Sequence, residues 1–140
     1  MPTTAADLAD LTILGHGSPA ERKLESFPNH NRERRYTVTL ETDEFTCVCP
    51  ATGQPDYATI TIQYIPDARI VESKSLKLYL WSFRNEGHYF EQVTNQILDD
   101  LVRATRPRRM SVVGRFNVRG GITTTVVARF APERSGAARS

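Results

Sequence analysis

Pro50, Gly53 and Pro55 fall within one short segment, and the residues on either side of it alternate apolar and polar side chains. Proline fixes φ and lacks an amide hydrogen, and glycine takes backbone angles that other residues avoid. This segment can therefore be neither helix interior nor central strand. It has to be a turn. The flanks, residues 35–41 and 57–65, carry the period-two pattern of half-buried strands. The turn reads Cys49-Pro-Ala-Thr-Gly-Gln-Pro-Asp56, which holds a thiol and a carboxylate at fixed separation. That pairing is what nucleophilic addition assisted by an acid requires. Alone, Cys49 would read as a small buried hydrophobe and Asp56 as a turn cap. The rigid spacing makes them a candidate nucleophile and a candidate acid. Cys47 lacks this context and is read as structural.

From Glu72 the period changes. Leu76, Leu80 and Phe83 fall on one helical stripe, which Asn85-Glu-Gly87 breaks. A second helix puts Phe90, Val93, Ile97 and Leu101 on one face and stops near Pro107. Residues 110–116 and 122–130 then read as two strands around Arg119-Gly-Gly121. The order ββααββ predicts an α+β layer: an antiparallel sheet with both helices packed on one face. Four strands leave two open edges, which are an aggregation hazard unless subunits pair across them, so a homo-oligomer is expected. Residues 1–30 read as a flexible N-terminal arm or a segment docking on another subunit, 31–131 as the folded domain, and 132–140 as a polar tail.

Length and composition exclude several classes. A chain of 140 residues with 39% hydrophobic and 24% charged residues is one globular domain with a modest core. No apolar run is long enough to cross a bilayer, and the first residues lack the pattern of a signal peptide, so no membrane partner and a cytoplasmic location are expected. A formal charge of +2 is too small to argue for direct binding of nucleic acid, although basic residues cluster at 32–35 and 103–109. Cys47 and Cys49 are the only cysteines and are expected as thiols. With His16, His30 and His88 they show no zinc-ligand spacing, so no metal is expected.

Glu72, Lys74 and Lys77 open the first helix and Glu91 the second. Each has an ordinary explanation in the helix dipole or a solvated face. In combination they say more. Phe45-Thr-x-x-Cys49-Pro-x-Thr-Gly-Gln-Pro-Asp56, Val71-Glu-Ser-Lys-Ser-Leu-Lys-Leu-Tyr79, Ser82-Phe-Arg-Asn-x-Gly87, Glu91 and Arg119-Gly-Gly-Ile122 resemble the short form of the NADPH-dependent 7-cyano-7-deazaguanine reductases, the nitrile reductases of queuosine biosynthesis. The likeness runs from about Arg35 to Ile122, and the Glu-Ser-Lys-Ser-x-Lys run is its most specific part.

The resemblance implies the tunnelling fold, with ββααββ subunits in pentameric rings that stack into a decamer. It implies Cys49 as the residue that adds to the nitrile carbon and Asp56 as the proton donor to nitrogen. It implies Glu91 as the reader of the purine-like base, with Val71, Glu72 and Ser73 as further substrate contacts. Phe90 stands where the family usually has histidine. The cofactor implied is NADPH, yet no Gly-x-Gly-x-x-Gly follows a strand. Its candidate ligands are Lys74, Lys77 and Arg119 for the phosphates, with close backbone approach at Gly120 and Gly121. A local likeness of residues 45–50 to the peroxidatic loop of peroxiredoxins fails, because Pro55 and a strand follow where that fold needs a helix. Two alternatives remain: a zinc hydrolase on the same tunnelling fold, and a non-catalytic scaffold that binds a purine or pterin.

Overall fold

Alternation of buried and exposed side chains builds the sheet that carries the molecule. The computed structural model describes residues 2, 4–8 and 22–132. Its elements are α1 (Ala5–Leu8), β1 (Ser26–Pro28), β2 (Val38–Val48), β3 (Pro55–Ile65), β4 (Arg69–Val71), α2 (Ser73–Trp81), α3 (Phe90–Thr105), β5 (Arg109–Arg119) and β6 (Ile122–Phe130). A four-stranded antiparallel sheet has the order β2-β3-β5-β6. One face presents Ala58, Ile60, Ile62 and Tyr64 of β3 and Met110, Val112 and Phe116 of β5, all buried in one cluster with Leu76, Tyr79 and Leu80 of α2 and Val93, Ile97 and Leu101 of α3. Burial of each such aliphatic or aromatic side chain contributes about 1.5–3 kcal/mol. The α+β layer with antiparallel strands and a helix pair is as the periodicity predicts.

Two features differ from the sequence reading. First, β2 does not stop at Glu41 but runs to Val48. A register shift between Thr42 and Phe45 hides it. Before the shift Val38 and Leu40 are half-buried, and after it Phe45 and Cys47 are buried, so the alternation changes phase within the strand. Second, a two-stranded sheet pairs Ser26–Pro28 with Arg69–Val71. The packed structure thus reaches back into residues assigned to the arm, where Glu72 N–H also donates to the Glu25 carbonyl at 2.8 Å. Residues 9–21 of that arm and 133–140 of the tail lie outside the described residues. Phe83 is fully buried, as its stripe predicts, but in the turn after α2 and not on the helix.

The contact that positions α3 is a glycine. A Cβ on Gly114 would lie 2.8 Å from Thr94 Oγ1 and 2.9 Å from the Phe116 ring. That free space lets the Thr94 hydroxyl, fully buried, donate to the Phe90 carbonyl at 2.7 Å, and lets Phe90 stack on Phe116 at 4.0 Å between centroids. Gly114→Ala should therefore destabilise the protein by about 1–3 kcal/mol, the usual cost of overfilling a packed core. Urea unfolding followed by tryptophan fluorescence and far-UV circular dichroism would measure it.

Candidate active site

The turn between β2 and β3 is closed by its own backbone. Cys49 N–H donates to the Gln54 carbonyl and Gly53 N–H to the Cys49 carbonyl, both at 2.8 Å. Gly53 supplies the positive φ, +71°, that this closure needs. Pro55 opens β3 opposite Val48, ahead of the first β3–β5 partner at Ala58, so its missing N–H removes no bond to β5.

The turn wraps its backbone around the Cys49 sulfur, which is partly exposed. The Thr52 hydroxyl, the Thr52 and Ala51 N–H groups and the Arg119 guanidinium all donate toward it, and together they bring the Cys49 thiol down to about 7. Such a cradle of donors is an anion-binding nest that favours thiolate. Cys47, two residues earlier on the strand, is fully buried. Burial, reinforced by the neighbouring Asp56 charge, pushes its thiol up to about 11. The surroundings favour thiolate at Cys49 and oppose it at Cys47.

Asp56 lies opposite Cys47 in the ladder and is buried on the core face. A buried carboxylate needs a partner, and Arg119 provides one, with Nε 2.7 Å from Asp56 Oδ1. Arg119 ends β5, and Gly120 and Gly121, with φ of +54° and +77°, turn the chain back into β6. This two-residue turn needs positive φ at both positions. A register shift between Phe116 and Arg119 reverses the side-chain phase at the strand end and brings Arg119 onto the core face, where Asp56 lies. Arg119 thus pairs with the acid and favours the thiolate of Cys49. Its Nε is committed to the acid.

The remaining sequence candidates form two further groups. Phe90 and Glu91 begin α3, with Glu91 exposed and Phe90 half-buried against Phe116. They follow His88, whose N–H donates to the Val48 carbonyl at 3.1 Å, next to the thiol turn. Val71, Glu72, Ser73, Lys74 and Lys77 lie at the junction of β4 and α2. Val71 is buried, and its N–H donates to Tyr64 Oη at 3.1 Å. The Glu72 carboxylate caps α2, accepting from Lys74 N–H at 2.7 Å and Ser75 N–H at 3.2 Å. Ser73, Lys74 and Lys77 border a groove of about 940 Å³ between α2 and β2, floored by Leu40, Phe45 and Leu80 and flanked by exposed Trp81. Cys49, Asp56 and Arg119 do not line that groove. Within one chain the candidates are therefore not one pocket. The sequence reading missed Thr52 as a thiolate donor and the orienting place of Arg119, and neither had a signal in spacing alone. Among the described residues no cluster of His, Cys, Asp and Glu could hold a metal ion, and no helix is long and apolar enough to cross a membrane.

A sheet-and-helix-pair fold that presents an activated thiol beside a buried acid defines the class of the protein. The crystal structure of the archaeosine synthase QueF-Like in the apo form matches its fold with a TM-score of 0.65 and 22% identity, over 70% of this chain and 96% of that one. The family model described as QueF-like protein matches residues 55–135. The NADPH-dependent 7-cyano-7-deazaguanine reductase of Thermomicrobium roseum is 63% identical over 118 residues, 84% of this chain and 92% of the relative. That of Syntrophus aciditrophicus is 59% identical over 128 residues, 91% of each chain. The chain belongs to the NADPH-dependent 7-cyano-7-deazaguanine reductase family.

The donor cradle makes a direct prediction. Iodoacetamide should alkylate Cys49 with a half-maximal rate near pH 7 and leave Cys47 unmodified while the protein is folded. Removing a donor destabilises thiolate, so Thr52→Val should move the Cys49 midpoint up toward the ~8.5 of a free cysteine. Peptide mass spectrometry across pH would read both.

Proposed function

We propose that this chain reduces the nitrile of 7-cyano-7-deazaguanine to the aminomethyl group, with NADPH as reductant, by way of a covalent thioimide on Cys49. Substrate class and reductant follow from the family. The mechanism is carried by one observation: buried Asp56, held by Arg119 at 2.7 Å, stands at the foot of the turn that carries Cys49, and that turn and Arg119 favour the Cys49 thiolate.

A nitrile carbon is a weak electrophile. A thiolate that attacks it, with a proton delivered to nitrogen, splits one difficult reduction into easier steps. Asp56 accepts the proton that the Cys49 thiol gives up and passes it to the nitrile nitrogen as Cys49 forms the carbon–sulfur bond. Arg119 holds the carboxylate and the sulfur in register before attack. Two NADPH molecules, bound one after the other, would each supply one hydride, the first to the thioimide and the second to the imine left when the sulfur departs. A free imine hydrolyses, so the site must exclude water between the two hydrides.

Glu91 reads the base. An exposed carboxylate at the start of α3 can accept two parallel hydrogen bonds from a ring N–H and the exocyclic amine of a guanine-type edge. A base lacking those donors leaves the carboxylate unpaired once bound, which can cost ~10⁴-fold in discrimination. Phe90, anchored on Phe116, offers an apolar wall beside it. Val71, Glu72 and Ser73 contribute as the rim of the substrate site, Glu72 through the helix end that it caps.

The chemistry of the donors fits NADPH at Lys74 and Lys77, two exposed ammonium groups beside an apolar groove. Gly120 and Gly121 leave open space over their turn, with nothing within 4 Å of a would-be Cβ. Arg119 serves the acid. The two parts are brought together between subunits. β2 and β6 are the open edges of the sheet, and pairing them with neighbours closes a ring that unites one chain's thiol with another's groove. The assembly is a pentameric ring of tunnelling-fold subunits, doubled to ten, working in the cytoplasm.

Mixing protein and nitrile without NADPH tests the mechanism. Intact mass should rise by one substrate, located on Cys49. Cys49→Ala should lose adduct and turnover, and Cys47→Ala should keep both. NADPH should be consumed at two per nitrile, a stoichiometry that no scaffold or zinc hydrolase would give. An adduct persisting in Cys49→Ala would end the assignment.

Assembly is tested separately. Size-exclusion chromatography with light scattering should return a ten-subunit mass, and dilution that dissociates the ring should abolish NADPH binding together with turnover. A monomer with full activity would refute the shared site.

A further inference from the structure

Between α2 and α3 the chain folds back against the thiol turn. Val48 N–H donates to the Glu86 carbonyl at 2.9 Å, and His88 N–H donates to the Val48 carbonyl at 3.1 Å. The last residue of β2 before Cys49 is thereby gripped through both of its backbone groups. Gly87 lies against the next turn residue, since a Cβ there would come within 3.2 Å of Pro50 Cα. Just beyond His88, α3 begins with Phe90 and Glu91. This segment is the physical link between nucleophile and base reader.

Side chains hold the link in place. The Glu86 carboxylate sits between two donors, with Oε1 2.9 Å from His88 Nε2 and Oε2 2.7 Å from Arg22 Nη2. Arg22, which precedes β1, lies 3.9 Å over the Phe83 ring and donates to Ser82 Oγ at 3.2 Å. The His88 ring meets Phe83 edge-on at 5.4 Å, and its Nδ1 is buried without a partner. Glu86 is therefore the side-chain anchor of that imidazole. Burial pushes the Glu86 carboxyl up, but the hydrogen bonds from His88 and Arg22 outweigh it and leave the group below the ordinary carboxylate range.

We propose that Glu86 is a positioning residue of the reductase: clamped between Arg22 and His88, its carboxylate sets the spacing between the Cys49 turn and the Glu91 end of α3. The proposal rests on the roles given above to Cys49 and Glu91. It separates two properties that a general loss of structure would merge. Thiol activation draws on Ala51, Thr52 and Arg119, none of which belongs to the clamp. Attack on the nitrile needs the base and the thiol engaged together, and a misplacement of about 1 Å can cost ~10²-fold.

The test uses the full chain with Glu86→Ala, the shape-preserving Glu86→Gln, Arg22→Met and Arg22→Lys. Two rates are compared in each: iodoacetamide alkylation of Cys49, and adduct formation with 7-cyano-7-deazaguanine, supplemented by steady-state KM and kcat. Glu86→Ala should alkylate within about twofold of wild type while forming adduct on the order of 30–100-fold more slowly. Arg22→Met should move the same way, and Arg22→Lys should recover most of the loss. Adduct formation and KM at wild-type values in Glu86→Ala and Glu86→Gln would overturn the proposal. So would alkylation and adduct formation falling in parallel, because the clamp would then act on the thiol itself. A wild-type protein that forms no adduct on Cys49 defeats the underlying mechanism, and the clamp proposal with it.

Discussion

The ion pair between Asp56 and Arg119 is the contact on which the site depends. Asp56 is the second residue of β3 and lies on the core face, where a lone carboxylate would be desolvated without compensation. Arg119 answers it from the far end of β5, past a register shift and just before a glycine turn. The pair therefore ties the two hairpins of the sheet together at their tips. The same guanidinium favours the Cys49 thiolate, so one cation compensates the acid and lowers the pKa of the thiol. Placing it on a strand end and not on a free loop gives this arrangement the rigidity of the sheet.

The two cysteines show how narrowly the backbone sets reactivity. Cys47 belongs to the strand and faces the core, where desolvation and the Asp56 charge both oppose ionisation. The strand ends at Val48, and Cys49 enters a turn in which hydrogen bonds from Thr52 and Ala51 favour its thiolate. The same side chain thus meets opposite electrostatics two residues later. Sequence alone could distinguish them only through Pro50 and Gly53, which announce the turn.

Much of the architecture was legible because it is periodic. β3 alternates cleanly from Asp56 to Tyr64 and was read nearly to its ends, and α3 was read through the stripe Val93, Ile97 and Leu101. The second half of β2 was not, because the shift at Thr42–Phe45 breaks the alternation that reveals a strand. The three-residue strands β1 and β4 are too short to show any period. At the site, spacing and family likeness named Cys49 and Asp56. The pairing of Arg119 with Asp56 depends on a phase reversal that no local pattern reports. One departure lies on the strand that leads into the Cys49 turn and the other on the strand that ends in Arg119, and bulges re-aim side chains in this way.

The surroundings of the site argue that a single chain is incomplete. Tyr57 follows Asp56, and Val118 and Ile122 flank the Arg119 turn. All three are exposed, Val118 at 62% and Ile122 at 68%. Scattered apolar residues on a surface need no explanation, but these flank Asp56 and the Arg119 turn, where the proposed mechanism requires water to be kept out. A monomer would leave the proposed thioimide open to solvent beside an uncovered apolar rim. Covering that rim would desolvate the site, strengthen the contacts of Arg119 and protect an imine from hydrolysis in one step. The open edges of β2 and β6 and the exposed rim of the thiol turn are therefore two requirements with one solution, and a neighbouring subunit of the proposed ring meets both.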